Sequence, residues 1–252
     1  MFIITGGGSG LGKALATSLA QHECPVLIIG RRLSLLQETA QCSSFIDYLC
    51  ADISTPEGRN TLIQHIKAIP RITGLINNAG TLNPVIPLRE LSWESWQQAI
   101  HTNVSAPLFL AQQCYRQLEH GRVLNIGSGA AYFPIQSWAP YCVSKAALAM
   151  LTRCWQLESK EVAFASVMPG IVDTDMQALA RLGVHMDKGQ TEFYQNLYKN
   201  KRLLSAETVA LFLTWLLLHV DKETFSSKEW DIYDTSHHHA WLKPPHEVPY
   251  WE

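Results

Sequence analysis

Thr5-Gly6-Gly7-Gly8-Ser9-Gly10-Leu11-Gly12 lies between a short apolar run, Phe2-Ile3-Ile4, and an amphipathic stretch that begins near residue 10. The order is strand, glycine-rich turn, helix. Glycines at Gly6, Gly8, Gly10 and Gly12 let the backbone approach a pyrophosphate with no Cβ in the way. The helix start, with Ser9 and Leu11 in the loop beside it, then offers free N–H groups and the positive end of the helix dipole. With its strand before it and its helix after it, the loop predicts dinucleotide binding rather than a plain tight turn.

Outward from this loop the same alternation repeats. Strands are expected at about 2–5, 25–30, 45–50, 73–77, 121–127, 162–168 and 229–233. Helices are expected between them, at about 10–22, 33–41, 56–68, 92–119, 137–159 and 205–219. This pattern implies an α/β fold: a Rossmann-like, doubly wound, mostly parallel sheet of seven strands with helices on both faces. Val26-Leu27-Ile28-Ile29 is continuously apolar, as a strand covered on both faces should be. One domain is expected over 1–235, with an insertion over the site at about 174–203. The tail, 236–252, is too aromatic for a solvated end and is expected to pack on the domain or on a partner subunit.

Composition narrows the class. The chain has 252 residues, 47% hydrophobic and 17% charged, with a formal net charge of -2. Nothing there suggests nucleic acid or an anionic membrane. No apolar run reaches the roughly 18 residues a membrane span needs. Met1 leads straight into the first strand without a basic leader, and the six cysteines are scattered with no C-x-x-C pair. Reduced thiols and a cytoplasmic location are the expectation. His237-His238-His239 has no further ligand at metal spacing, so no metal site is expected.

The second strand bears on which dinucleotide binds. An NAD site usually ends this strand in Asp or Glu, which accepts hydrogen bonds from the ribose hydroxyls. Here it ends Ile29-Gly30-Arg31-Arg32. Two guanidiniums suit a 2′-phosphate and gain little from a bare hydroxyl, so NADP(H) is the expected cofactor.

Tyr141 and Lys145 stand four residues apart on an expected helix and share its face. An ammonium beside a phenol should draw its pKa down toward the working range of an acid–base group. Ser128 closes the fifth strand in Asn125-Ile126-Gly127-Ser128, at the sheet edge where ligands sit in open α/β folds.

With these residues in place the chain resembles the short-chain dehydrogenase/reductase family over about residues 1–235. The matching stretches are the Thr5–Gly12 loop, Asp52, Asn77-Asn78-Ala79-Gly80, Asn103, Ser128, Tyr141-Cys142-Val143-Ser144-Lys145 and Pro169-Gly170-Ile171-Val172-Asp173-Thr174. The resemblance implies that Asp52, with Ile53 beside it, meets the adenine. It implies that Asn78, Ala79 and Gly80 line the cofactor groove, and that Pro169, Gly170, Val172 and Thr174 hold the nicotinamide end. It further implies that Ser128 and Tyr141 bind a carbonyl oxygen, that Tyr141 donates the proton, and that Lys145 tunes Tyr141 and grips the ribose. Asn103 would bend its helix and hold a water linked to Lys145.

A narrower resemblance rests on Trp138, Asp173-Thr174-Asp175-Met176-Gln177 and Trp230-Asp231-Ile232-Tyr233-Asp234. These look like the sepiapterin reductase and benzil reductase branch. The implied activity is NADPH-dependent reduction of a ketone or vicinal dicarbonyl. Asp231 matches the acidic pterin anchor of sepiapterin reductases, or is an ordinary strand-end carboxylate. The expected pocket has Ser128 and Tyr141 below, Trp138 and Tyr132 at one side, Gly170 leaving room beside the nicotinamide, and the 174–203 insertion above. Met176, Leu179, Leu182 and Met186 are either plain packing or part of an apolar lid. A reductase of another substrate class (acyl thioester, steroid or sugar) is the alternative, and a non-catalytic NADP-sensing protein a further one. The resemblance also implies pairing of the two long helices across a two-fold axis into a homodimer or homotetramer, with Trp93, Trp96, Phe109 and Trp155 as candidate interface residues.

Overall fold

The computed structural model describes residues 1–249. The last residues of the tail, including Trp251, lie outside the described residues. Seven strands form one sheet: β1 (Phe2–Thr5), β2 (Val26–Gly30), β3 (Ile46–Cys50), β4 (Gly74–Asn77), β5 (Arg122–Ile126), β6 (Ala163–Met168) and β7 (Trp230–Asp231). Their order is β3-β2-β1-β4-β5-β6-β7, and every neighbouring pair is parallel. The sheet is thus wholly parallel, where the sequence predicts mostly parallel. β7 is only Trp230–Asp231, shorter than the predicted 229–233.

The helices are α1 (Gly10–Gln21), α2 (Leu33–Ala40), α3 (Pro56–His65), α4 (Trp93–Ile100), α5 (Ala106–Cys114), α6 (Ala139–Glu158), α7 (Asp175–Leu182), α8 (Lys188–Lys199), α9 (Ala206–Leu218), α10 (Lys222–Ser226) and α11 (His238–Trp241). Strand periodicity divides the core between the two faces of the sheet. Phe2, Ile4, Val26 and Ile28 join α1 and α9 on one face. Ile3, Leu27 and Ile29 join α3 and α5 on the other. Ser18 and Thr214 bond across α1 and α9 at 2.7 Å. No described helix is long and apolar enough to cross a membrane.

The single helix predicted over 92–119 is broken. A π-helical turn, His101–Ser105, separates α4 from α5. Pro107 has no N–H to give the carbonyl of Asn103 four residues back, so a regular α-helical bond is missing there. The extra residue in the turn directs Asn103 inward. Trp155 also faces inward, stacked on Phe164 with ring centroids 4.8 Å apart. It packs partly against the core, whereas Trp93 and Phe109 are exposed.

The tail lies on α9. Trp241 is buried, and its ring packs on Phe212. The histidine run is occupied within the protein: His237 bonds to the Asp231 carbonyl and to Trp241, and His238 to the Ile232 carbonyl.

Candidate active site

The sheet order reverses between β1 and β4, and a groove opens at the carboxyl ends of these strands. Thr5, the last residue of β1, ties the two together. Its Oγ1 accepts from the N–H groups of Asn78 and Ala79, both at 3.0 Å, and donates to the Ile76 carbonyl at 3.3 Å. The Asn78 amide Nδ2 donates to the carbonyls of Thr5 at 2.8 Å and Gly6 at 3.3 Å. These bonds fold the glycine loop against β4. Gly6 has φ +69° and Gly10 φ +51°. A Cβ on Gly12 would stand 2.3 Å from the Gly6 carbonyl oxygen, so the loop closes only with glycine there.

The start of α1 is left open. Ser9 stands at its N-cap, yet its side chain caps nothing and instead accepts from Arg32 Nη2 at 2.8 Å. By contrast Thr55, Ser92, Thr174, Asp187 and Ser205 all cap their helices by side-chain bonds. The free N–H groups of α1 therefore point at the groove with no internal acceptor. Arg32 also lies 3.9 Å from Asp175, and Arg31 3.8 Å from Asp52. Both guanidiniums are largely exposed, so their charges remain available to a ligand. Asp52 accepts from Ser54 N at 2.9 Å and Ser54 Oγ at 2.7 Å, which orients its carboxylate.

At the far end of the groove stand Ser128, Tyr141 and Lys145. Ser128 opens a short 3-10 turn, Gly129–Ala131, and its Oγ accepts from Ala130 N at 3.2 Å. Tyr141 and Lys145 lie on α6, both buried. Burial pushes the Tyr141 hydroxyl up, with the Ser128 hydrogen bond working against it. The sequence predicts the opposite, a phenol drawn down by Lys145. The difference is geometric: Lys145 Nζ lies over the Tyr141 ring, 5.6 Å from its centroid, and donates to the Ile126 carbonyl at 2.6 Å. Burial also brings the Lys145 ammonium down to about 8.

Asn103 sits behind the groove, buried. Its Oδ1 accepts from Thr81 N at 2.8 Å, and its Nδ2 donates to Thr81 O and Ser144 Oγ, both at 2.9 Å. Its side chain thus holds the stretch after Gly80. A Cβ on Gly80 would lie 3.4 Å from Asn103 Oδ1 and 3.7 Å from Lys145 Nζ.

One groove of about 800 Å³ gathers the glycine loop, Arg31, Arg32, Asp52, Ile53, Asn78 to Gly80, Ser128, Trp138, Tyr141, Lys145 and Pro169 to Thr174. Gly170 adopts φ +77°, with Leu204, Ile232 and Tyr233 packed behind it. Two residues named from the sequence are elsewhere. Asp231 is not in the groove lining: its Oδ1 accepts from Tyr233 N at 3.0 Å and closes a turn after β7. Tyr132 is not in the lining either, because its hydroxyl is held by Glu229 and Arg153. The place expected for Tyr132 is taken by Tyr194 from α8, stacked on Trp138 at 5.6 Å and 8°. Trp138 in turn meets Tyr141 edge-on at 5.9 Å. Met176, Leu179 and Met186 pack around this cluster, whereas Leu182 is 69% exposed. Trp138 Nε1 and Gln177 Nε2 are buried donors with no hydrogen-bond partner among the described residues. No short sequence signal marks Tyr194, since it stacks on a residue far away in the chain.

Residues 1–183 match the family model described as short chain dehydrogenase. The chain is 32% identical over 230 residues to a benzil reductase ((S)-benzoin forming) of Bacillus cereus, covering 85% of this chain and 92% of that one. It is 31% identical over 256 residues to the sepiapterin reductase of Rattus norvegicus, covering 92% and 95%. Among solved structures, a short-chain dehydrogenase/reductase of Saccharomyces cerevisiae superposes with TM-score 0.87 at 26% identity, covering 93% of this chain and 96% of that one.

Proposed function

The chain belongs to the short-chain dehydrogenase family and is an oxidoreductase, and on that premise we propose that it is an NADPH-dependent reductase of vicinal dicarbonyls and related ketones. The observation that carries the proposal is the buried Tyr141 hydroxyl, raised by burial and bonded to Ser128, beside the stacked pair Trp138 and Tyr194.

The groove fits the cofactor. The uncapped start of α1 and the glycine cradle suit a pyrophosphate, and Arg31 and Arg32 suit a 2′-phosphate. Asp52 and Ile53 would hold the adenine end, Asn78 to Gly80 the middle, and Pro169, Gly170, Val172 and Thr174 the nicotinamide end. Bound NADPH supplies a hydride for the carbonyl carbon.

The remaining steps belong to the chain itself. The hydroxyls of Ser128 and Tyr141 bind the carbonyl oxygen and stabilise the charge that develops on it. Tyr141, kept protonated by burial, gives its proton to that oxygen. Lys145 holds a positive charge against the Tyr141 ring and would grip the ribose. Asn103 and a water that it would hold would restore the proton from solvent. The aromatic wall of Trp138 and Tyr194 suits a planar, largely apolar substrate.

Benzil resembles this description more closely than a pterin does. Asp231, the candidate anchor for an amino-pyrimidine, lies outside the groove lining and accepts from Tyr233 N. Steady-state turnover of benzil with NADPH, set beside Tyr141→Phe, tests the proposal. Wild type should reduce benzil, and Tyr141→Phe should lose at least about a hundredfold in kcat while still binding NADPH. Near-normal kcat in Tyr141→Phe refutes the mechanism.

A further inference from the structure

Glu229, just before β7, bears on both flanks of Ser128. Its Oε1 accepts from Ser166 Oγ on β6 at 2.7 Å. The same oxygen lies 3.4 Å from where a Cβ on Gly127 would stand, against the residue that precedes Ser128. Its Oε2 accepts from the Tyr132 hydroxyl, and Arg153 Nη2 on α6 donates to that hydroxyl at 3.1 Å. Tyr132 ends the 3-10 turn that Ser128 begins. One carboxylate therefore lies beside the residue before Ser128 and, through Tyr132, is bonded to the turn after it.

Apolar burial does not account for this arrangement. Ala130 within the turn is buried in the cluster of Trp138 and Tyr141, but Tyr132 is 44% exposed and Phe133 beside it 71% exposed, so packing holds the start of the turn and not its end. The polar contacts are better defined. A phenol between a carboxylate and a guanidinium donates to the first and accepts from the second, and both bonds are charge-assisted. Ser166 is buried in the sheet opposite Asn125, which gives Glu229 a rigid footing. Ser128 itself has an extended backbone at φ −169° and is held by its own cap to Ala130, by the Ala131 N–H bond to its carbonyl at 3.0 Å, by the hydrogen bond with Tyr141, and by the Gly127 N–H bond to Val167 O at 2.8 Å.

We propose that Glu229 and Tyr132 form a latch that sets the Ser128 hydroxyl against Tyr141, making both of them positioning residues. The proposal rests on the carbonyl reductase reading above. Neither side chain lines the groove. Their effect is on alignment of the two hydroxyls that receive the carbonyl oxygen, where a misplacement of about 1 Å costs up to about a hundredfold in rate.

The test uses Tyr132→Phe and Glu229→Gln, each alone and combined with Ser128→Ala, in benzil reduction with NADPH. Each single variant should lower kcat by roughly tenfold or more, with the NADPH Kd and the Tm near wild type. In the Ser128→Ala background Tyr132→Phe should change kcat no further, because the group it positions is gone. An unchanged kcat in Tyr132→Phe, or an equal fall with and without Ser128, overturns the latch while leaving the reductase reading intact. Wild type inert toward every dicarbonyl overturns the reductase reading instead. Should Glu229→Gln lower Tm, Tyr132→Phe alone decides. A crystal structure of Tyr132→Phe with the Ser128 and Tyr141 hydroxyls unmoved also overturns the latch, whatever the substrate.

Discussion

Lys145 donates to the carbonyl oxygen of Ile126 at 2.6 Å, tying α6 to the end of β5 just ahead of Ser128. A buried ammonium is thereby held between the strand end and the Tyr141 ring, and burial brings it down to about 8.

That value predicts two opposite pH responses. Reduction should slow as pH rises through about 8, when Lys145 loses its charge. Stability should rise over the same range. Unfolded lysine keeps its proton to about 10.5, so between about 8 and 10.5 the unfolded chain binds more protons and higher pH favours the fold. Lys145→Met should abolish this stability limb and cost at least about a hundredfold in kcat. Urea denaturation and initial rates across this pH range check both. A rate that stays flat past pH 9 contradicts the assignment to Lys145.

Arg31 and Arg32 flank the groove with exposed charges, and Arg32 is already bonded to Ser9 at the open start of α1. NADPH should be strongly preferred to NADH in kcat/KM. Replacing both arginines with alanine should erase most of that preference, since a hydrogen bond between a guanidinium and a phosphate is worth about 1.5–3 kcal/mol. Kinetics with the two cofactors measure this, and equal kcat/KM in wild type argues against a 2′-phosphate site.

On α6, Val143, Met150 and Leu157 are 47%, 55% and 86% exposed, and their spacing places them on one face. Tyr141 and Lys145 occupy the buried side of the same helix. We propose that the exposed face pairs with its copy across a two-fold axis. Sedimentation at micromolar concentration should give a homodimer or larger, and Met150→Glu should shift it toward monomer. A monomer in wild type refutes the pairing.

Trp241 Nε1 donates to His237 Nδ1 at 2.8 Å, so Nδ1 carries no proton and Nε2 donates to the Asp231 carbonyl. Burial lowers the His237 pKa from its ordinary 6.5. The neutral ring therefore contributes stability that is complete above 6.5 and is lost as pH falls through the lower folded-state value. Trp241→Ala should cost about 3–5 kcal/mol. Denaturation of His237→Gln should depend less steeply on pH below 6.5 than wild type. An unchanged acid response in that variant would place the sensitivity elsewhere.

Backbone geometry that repeats over short distances was legible from the residues alone. Apolar residues on both faces of β1 and β2 announced a buried parallel sheet, because strand side chains alternate with period two. The cradle of Gly6 to Gly12 was legible because a tight loop before a helix admits no Cβ at Gly12. Tyr141 and Lys145 share a face through helical spacing alone.

The directions that side chains take at the sheet edge came instead from long-range packing. Tyr132 goes to Glu229 and Arg153, Asp231 closes its own turn, and Tyr194 arrives from α8 to stack on Trp138. Asn103 bonds to Thr81 and Ser144, and burial raises the Tyr141 hydroxyl where spacing suggests the reverse. These outcomes depend on partners far away in the chain and on how much water each group loses. Neither quantity is carried by the local spacing of residues.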